Sequence, residues 1–292
     1  MANPVFNTKT FQEQMHSGQQ QPGWYSGGQQ TQTQPGQPGQ QGQFGQPQYG
    51  QQAPQGYSAE QLNEMYQQPA AGPVDTGRMS YNDVIAKTVM TLGVVLITAV
   101  VGWMMPALML PGAIVGLVLG LVNAFKREPS PALILLYAAA EGLFLGGISQ
   151  VFEQMWPGIA SQAVLGTLCV FAVTLALYAS GKVRATPKAM RIFMIAMVGY
   201  ALFSLVNLFL MLFGVTDSMF GLRSGWMGVA IGLVAVFLAA FSLVMDFTAI
   251  EQGVRAGAPM KYSWSAAFGL TVTLVWLYVE ILRILAILRG ND

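Results

Sequence analysis

The chain has 292 residues, of which 53% are hydrophobic and 9% charged, and its formal net charge is +1; its mean hydropathy is +0.46. A soluble domain carries about 25% charged residues, and a net charge this small gives no sign of the basic surface that nucleic-acid binding needs, so no nucleic-acid partner is expected. One histidine, His16, and one cysteine, Cys169, exclude an internal disulfide and leave almost no material for histidine-based metal or acid–base chemistry.

In chain order, residues 1–77 form one compositional block centred on QPGQPGQQGQFGQPQYGQQAPQGY. Glutamine, glycine and proline cannot bury enough apolar surface to offset the entropy of ordering, so this block is expected to be a disordered tail. Its spaced Phe and Tyr residues make it a candidate tether for a protein partner. No cleavable signal peptide is expected, because the first twenty residues are polar and the first apolar run begins late.

Residues 78–290 carry seven apolar runs, at roughly 88–107, 109–125, 131–152, 159–179, 191–213, 226–249 and 265–288. Several reach the roughly 20 residues needed to cross a 30 Å hydrocarbon core. The expected fold is an all-α integral membrane protein of seven transmembrane helices, in contact with the lipid bilayer. MMPALMLPG, with Pro106 and Pro111, reads as a tight turn between the first two spans. Cys169 lies inside the fourth run and reads as a small buried hydrophobe.

The loops set an orientation. With seven spans, Lys9, Arg78, Lys87, Lys126, Arg127, Lys182, Arg184, Lys188, Arg191, Arg255 and Lys261 fall on one side, against Arg223 and Arg289 on the other. The positive-inside rule then puts the N-terminus in the cytoplasm and the C-terminus outside. Gly112, Gly116 and Gly120 in the second run, and Gly142 and Gly146 in the third, recur every four residues. Such faces permit close helix contact, with the lining of a cavity as the alternative.

Ionisable groups inside these runs must face the bundle interior or a wet cavity, since a charge at mid-membrane costs about 2.5–3.5 kcal/mol even on the lenient insertion scale. Four stand out. Glu141, in YAAAEGLFLGG, has small neighbours that leave room for a helix or water, and either a structural hydrogen bond or a place on an ion path suits it. Asn207 and Ser204 are chemically suitable partners. Asp246, in AAFSLVMDFTAIEQGV, has Ser242 one turn earlier; Glu251 just beyond it reads as interfacial. Glu280, in TLVWLYVEILRILAIL, has Arg283 three residues on, close enough for an ion pair on one helix. Alternatively Glu280 faces Asp246 across the last two spans.

Two carboxylates in one site cannot both ionise cheaply, so such a pair shares a proton and acts as a pH sensor. Deprotonated, it repels or recruits a hard divalent cation, of which calcium suits an all-oxygen donor set.

AEGLFLGGIS (140–149), MDFTAI (245–250) and LYVEILRILAILRG (277–290), with the seven-span layout, resemble the Bax inhibitor-1 family of membrane proteins, in particular its bacterial members. The resemblance covers about residues 80–290. It implies seven helices with the last one central, and a pH-sensitive calcium leak governed by two aspartates in the last two helices. Asp246 corresponds to the first of these and Glu280 to the second. Two departures stand beside it: the second acid is a glutamate, and 34 residues separate the two where the family usually has about two dozen. A straight helix from Tyr262 would carry Glu280 about 27 Å from its start, whereas Asp246 should lie near that end. A pair therefore requires YSWSAAFG to lie along the interface, or a bend near Gly269.

The function these readings imply is a passive, proton-modulated cation leak, with calcium and protons as its ions, in a bacterial inner membrane. No enzymatic activity and no resident cofactor are expected. A secondary transporter, or a non-catalytic stress-response protein acting through the tail, is the alternative.

Overall fold

The computed structural model describes residues 77–216 and 218–290; the tail expected over 1–77 falls, but for Gly77, outside them. Among the described residues seven helices are long and apolar enough to cross a membrane. They are α1 (Tyr81–Met104), α2 (Met109–Phe125), α3 (Pro131–Met155), α4 (Ile159–Ala179), α5 (Pro187–Leu212), α6 (Gly225–Arg255) and α7 (Tyr262–Gly290), with short 3₁₀ turns at Pro106–Leu108 and Gly221–Arg223.

The helices outrun their apolar cores where polar residues can cap them. α1 starts seven residues before the run in the sequence because the Ser80 hydroxyl accepts from Asp83 N at 3.2 Å and Lys87 bonds back to Asp83 at 2.8 Å. α5 begins at Pro187, its Thr186 cap accepting from Ala189 N, and α3 likewise opens on a proline, Pro131; a missing N–H costs nothing in the first turn. Glu153 ends the α3–α4 turn by accepting from Gly158 N and Ala160 N at 2.5 and 3.0 Å. Gly158 there has φ of +84°, a left-handed conformation that glycine adopts without a Cβ penalty.

α7 is the centre of the bundle. It packs against α1, α3, α4 and α6, and 61% of its apolar stretch is buried, against 6% for α5 and 17% for α1 and α2. Leu243 of α6 packs with Leu270 and Leu277 of α7, and Leu282 of α7 with Ile159 and Ala163 of α4 and Ala138 of α3. On the outside, Leu96, Ile97, Val100, Leu117, Ile195, Leu202 and Phe237 are exposed. Water would penalise that belt; hydrocarbon solvates it, so these residues face lipid.

The glycines sit at helix crossings. A Cβ on Gly142 would land on Thr98 Oγ1 and the Val95 carbonyl, and one on Gly146 on the Ala99 carbonyl, which is why α1 and α3 approach so closely. Gly112 meets the backbone of α3 at Ala140 and Phe144. Cys169, expected to be buried, is exposed on α4: the helix turns that face outward, where lipid accepts a thiol as readily as a core does.

The lysine- and arginine-rich connections gather at one end. Lys261 pairs with Glu128 at 2.8 Å, joining the α6–α7 and α2–α3 connections. Lys87 also donates to the Met260 carbonyl at 3.1 Å. Glu251, near the end of α6, pairs with Arg255 at 2.5 Å and Arg184 at 3.3 Å, and accepts from the Tyr178 hydroxyl.

Candidate functional site

The acids of the apolar runs, Asp246, Glu280 and Glu141, lie in three separate places. The first lies between α6 and α7. Asp246 is buried, and its Oδ2 accepts from Thr273 Oγ1 at 2.8 Å. Ser242, one turn back on α6, lies 3.4 Å from the same threonine hydroxyl. On another side of α7, Thr271 bonds Thr91 of α1 at 3.0 Å. A carboxylate and two hydroxyls thus meet on facing helices. No lysine or arginine pairs with Asp246 among the described residues.

The second place is around Glu280, which is buried on α7. It accepts from the Tyr200 hydroxyl of α5 and from Arg283 Nη2 one turn along its own helix. Arg223, from the 3₁₀ turn before α6, lies 3.6 Å from Glu280 Oε1. Its guanidinium stacks over Tyr200 at 4.8 Å and Phe203 at 5.6 Å and donates to Ser204. Arg223 therefore reaches back into the bundle instead of standing in a loop.

The third is Glu141. With Tyr137 it lines a cleft of about 210 Å³ between α2, α3 and α7, walled by Gly116, Gly120 and Gly269. An added Cβ on Gly116 would stand 2.9 Å from Glu141 Oε1. Gly112 serves packing, whereas Gly116 also makes room beside the Glu141 carboxylate and Gly120 beside the Tyr137 ring.

These positions correct two expectations. Asp246 and Glu280 hold separate partners: Thr273 precedes Glu280 by seven residues, two turns or about 10 Å along α7. α7 is helical without a break from Tyr262 to Gly290, so no segment along the interface brings Glu280 back to the depth of Asp246. The α7 partner of Asp246 is Thr273, 27 residues on, a spacing close to the two dozen expected between paired positions. Glu280 keeps the same-helix partner Arg283 and gains Arg223. Nor does Glu141 meet Asn207 or Ser204. Asn207 Oδ1 accepts from Leu222 N at 2.7 Å, and Ser204 bonds the Tyr200 carbonyl and Arg223.

Reading the sequence missed Thr273, Tyr200 and Arg223. The spacing from Asp246 was the available signal for Thr273. Arg223 counted only as a loop charge, and nothing in the sequence marks Tyr200 as a partner for an acid eighty residues away.

Among protein families, the one described as Bax inhibitor 1 like matches residues 3–290. No curated protein matches the chain.

Proposed function

The chain belongs to the Bax inhibitor 1-like family, and from that membership and the surroundings of Asp246 we propose that it is a passive cation leak modulated by protons. The observation that carries the reading is a buried carboxylate that no lysine or arginine pairs with among the described residues, bonded to the Thr273 hydroxyl with Ser242 nearby. Arg255 lies nine residues on, about 13 Å along α6, and is paired with Glu251; Arg283 on α7 is paired with Glu280. An ionised carboxylate in such a place is relieved by a proton or by a cation in transit.

The donor set is oxygen only, which suits a hard cation, and calcium is the ion proposed. Calcium takes about six to eight oxygen ligands, so one carboxylate and two hydroxyls make a weak site. Weak binding suits a leak, because an ion that enters must also leave. Glu141 in its cleft is a second candidate on the path. The end that carries Lys87, Lys126, Arg184 and Lys261 is proposed to face the cytoplasm of a bacterial inner membrane, by the positive-inside rule.

The test is ion flux into proteoliposomes of the full chain between about pH 5 and 8, with calcium and sodium in parallel. Wild type should leak in a pH-dependent way, and Asp246→Asn should leak at a rate independent of pH. Flux of sodium without calcium would correct the ion; no flux, or an unchanged pH response in a folded Asp246→Asn protein, would remove Asp246 from the mechanism.

A further inference from the structure

The charges around Glu280 do not balance. Arg223 and Arg283 both contact this one carboxylate, and among the described residues no other Asp or Glu pairs with either arginine. Three of their nitrogens, Arg223 Nε and Arg283 Nε and Nη1, are buried without an acceptor among the described residues. Arg283 is 7% exposed. Guanidinium groups do not lose their proton in proteins, so a buried excess of one positive charge and three unused donors call for an anion.

We propose that the Arg223–Arg283 pair binds a monovalent anion, either a free halide or the phosphodiester of an acidic lipid. The two sources share the chemistry of a single negative charge accepting from guanidinium N–H groups. Depth is compatible with both. Glu280 lies eighteen residues beyond Tyr262, about 27 Å along α7, and therefore near the far boundary of a 30 Å core. A cleft of about 380 Å³ between α5 and α6, lined by Gly199, Tyr200, Phe203, Ala230 and Ile231, lies beside the cluster. Tyr200 is its link to the charges, since its hydroxyl bonds Glu280 and its ring carries Arg223.

The anion and Glu280 draw on the same two guanidinium groups, so they compete. That gives the site a signature opposite in sign to a purely structural ion cluster: neutralising Glu280 strengthens anion binding. The inference stands apart from the leak, because it concerns other residues at another depth.

The experiment follows the melting temperature of the full chain in nanodiscs. One series uses neutral phosphatidylcholine discs and replaces gluconate by chloride at fixed ionic strength. The other stays in gluconate and introduces phosphatidylglycerol. A saturable rise with chloride identifies the free anion; a rise with phosphatidylglycerol alone identifies the lipid. Arg283→Gln and Arg223→Gln should weaken the response about tenfold or abolish it, the equivalent of one charge-assisted hydrogen bond, and Glu280→Gln should strengthen it. Because Glu280→Gln predicts a gain, failure of the arginine variants to fold leaves the test intact. The connection before α6 also carries Asp217; a response that emerges only in Asp217→Asn would assign the missing negative charge to that residue and overturn the proposal. So would the absence of a saturable response in both wild type and Glu280→Gln, or equal responses in all variants.

Discussion

Thr273 donates its hydroxyl hydrogen to Asp246 Oδ2 at 2.8 Å, and this bond joins the central helix to α6 where both residues are buried. Replacing the threonine by valine keeps the shape and leaves the carboxylate without its donor. Thr273→Val should lose about 1–3 kcal/mol of stability, read as a fall in melting temperature in detergent, while Thr273→Ser stays close to wild type. Equal melting of Thr273→Val and wild type would mean that the bond contributes nothing.

The α1–α3 crossing should be intolerant of a single methyl group. A Cβ at Gly142 or Gly146 meets α1 backbone or the Thr98 hydroxyl, and overpacking costs about 1–3 kcal/mol, more where backbone must move. Gly142→Ala and Gly146→Ala should give little folded protein by size-exclusion chromatography. Gly93→Ala, on α1 with open space at its Cβ, should behave as wild type. Normal yields of Gly146→Ala would contradict this packing.

Asn207 pins the connection between α5 and α6. Its side chain accepts from Leu222 N at 2.7 Å and donates to the Phe220 carbonyl at 3.3 Å. Asn207→Leu leaves Leu222 N without its acceptor, at about 1–3 kcal/mol, while the Phe220 carbonyl still accepts from Arg223 N at 3.1 Å. The check is hydrogen exchange: the amide of Leu222 should lose protection while α7 keeps its own, and unchanged protection at Leu222 would refute the tie.

The Glu128–Lys261 pair carries a pH signature. The hydrogen bond and charge of Lys261 hold the Glu128 carboxyl below its ordinary 4.5, and the bond to Glu128 raises the Lys261 amine above 10.5. The contribution of the carboxyl is present above its ordinary value and is lost as pH falls through the lowered one. That of the amine is present below its ordinary value and is lost as pH rises through the raised one. Both groups are solvent-exposed, so the effect is small. Glu128→Gln should melt slightly below wild type at neutral pH and low salt. The difference should vanish in strong acid and in molar salt; a difference that persists in acid would have another cause.

Seven spans and a basic side were legible in the chain because hydrophobic length and loop charge are local properties. The chain order of Lys87, Lys126, Arg184 and Lys261 was enough to predict one shared side, and the contacts of Lys261 with Glu128 and of Lys87 with Met260 bring the α2–α3 and α6–α7 connections and the start of α1 together at one end. Asp246, Glu280 and Glu141 were visible as acids in apolar surroundings. Arg283 was legible as the same-helix partner of Glu280, but the distant partners were not, since Thr273, Arg223 and Tyr200 lie 27, 57 and 80 residues from the acids they meet.

By itself the sequence determined the number of helices, their apolar outer faces and the presence of buried acids, because a bilayer tests each segment for length and charge one at a time. Only the tertiary structure decided which groups share a depth. An acid must find its donor at its own level in the bundle, and on a continuous α7 that level puts Thr273 beside Asp246 and leaves Glu280 two turns away, between two arginines.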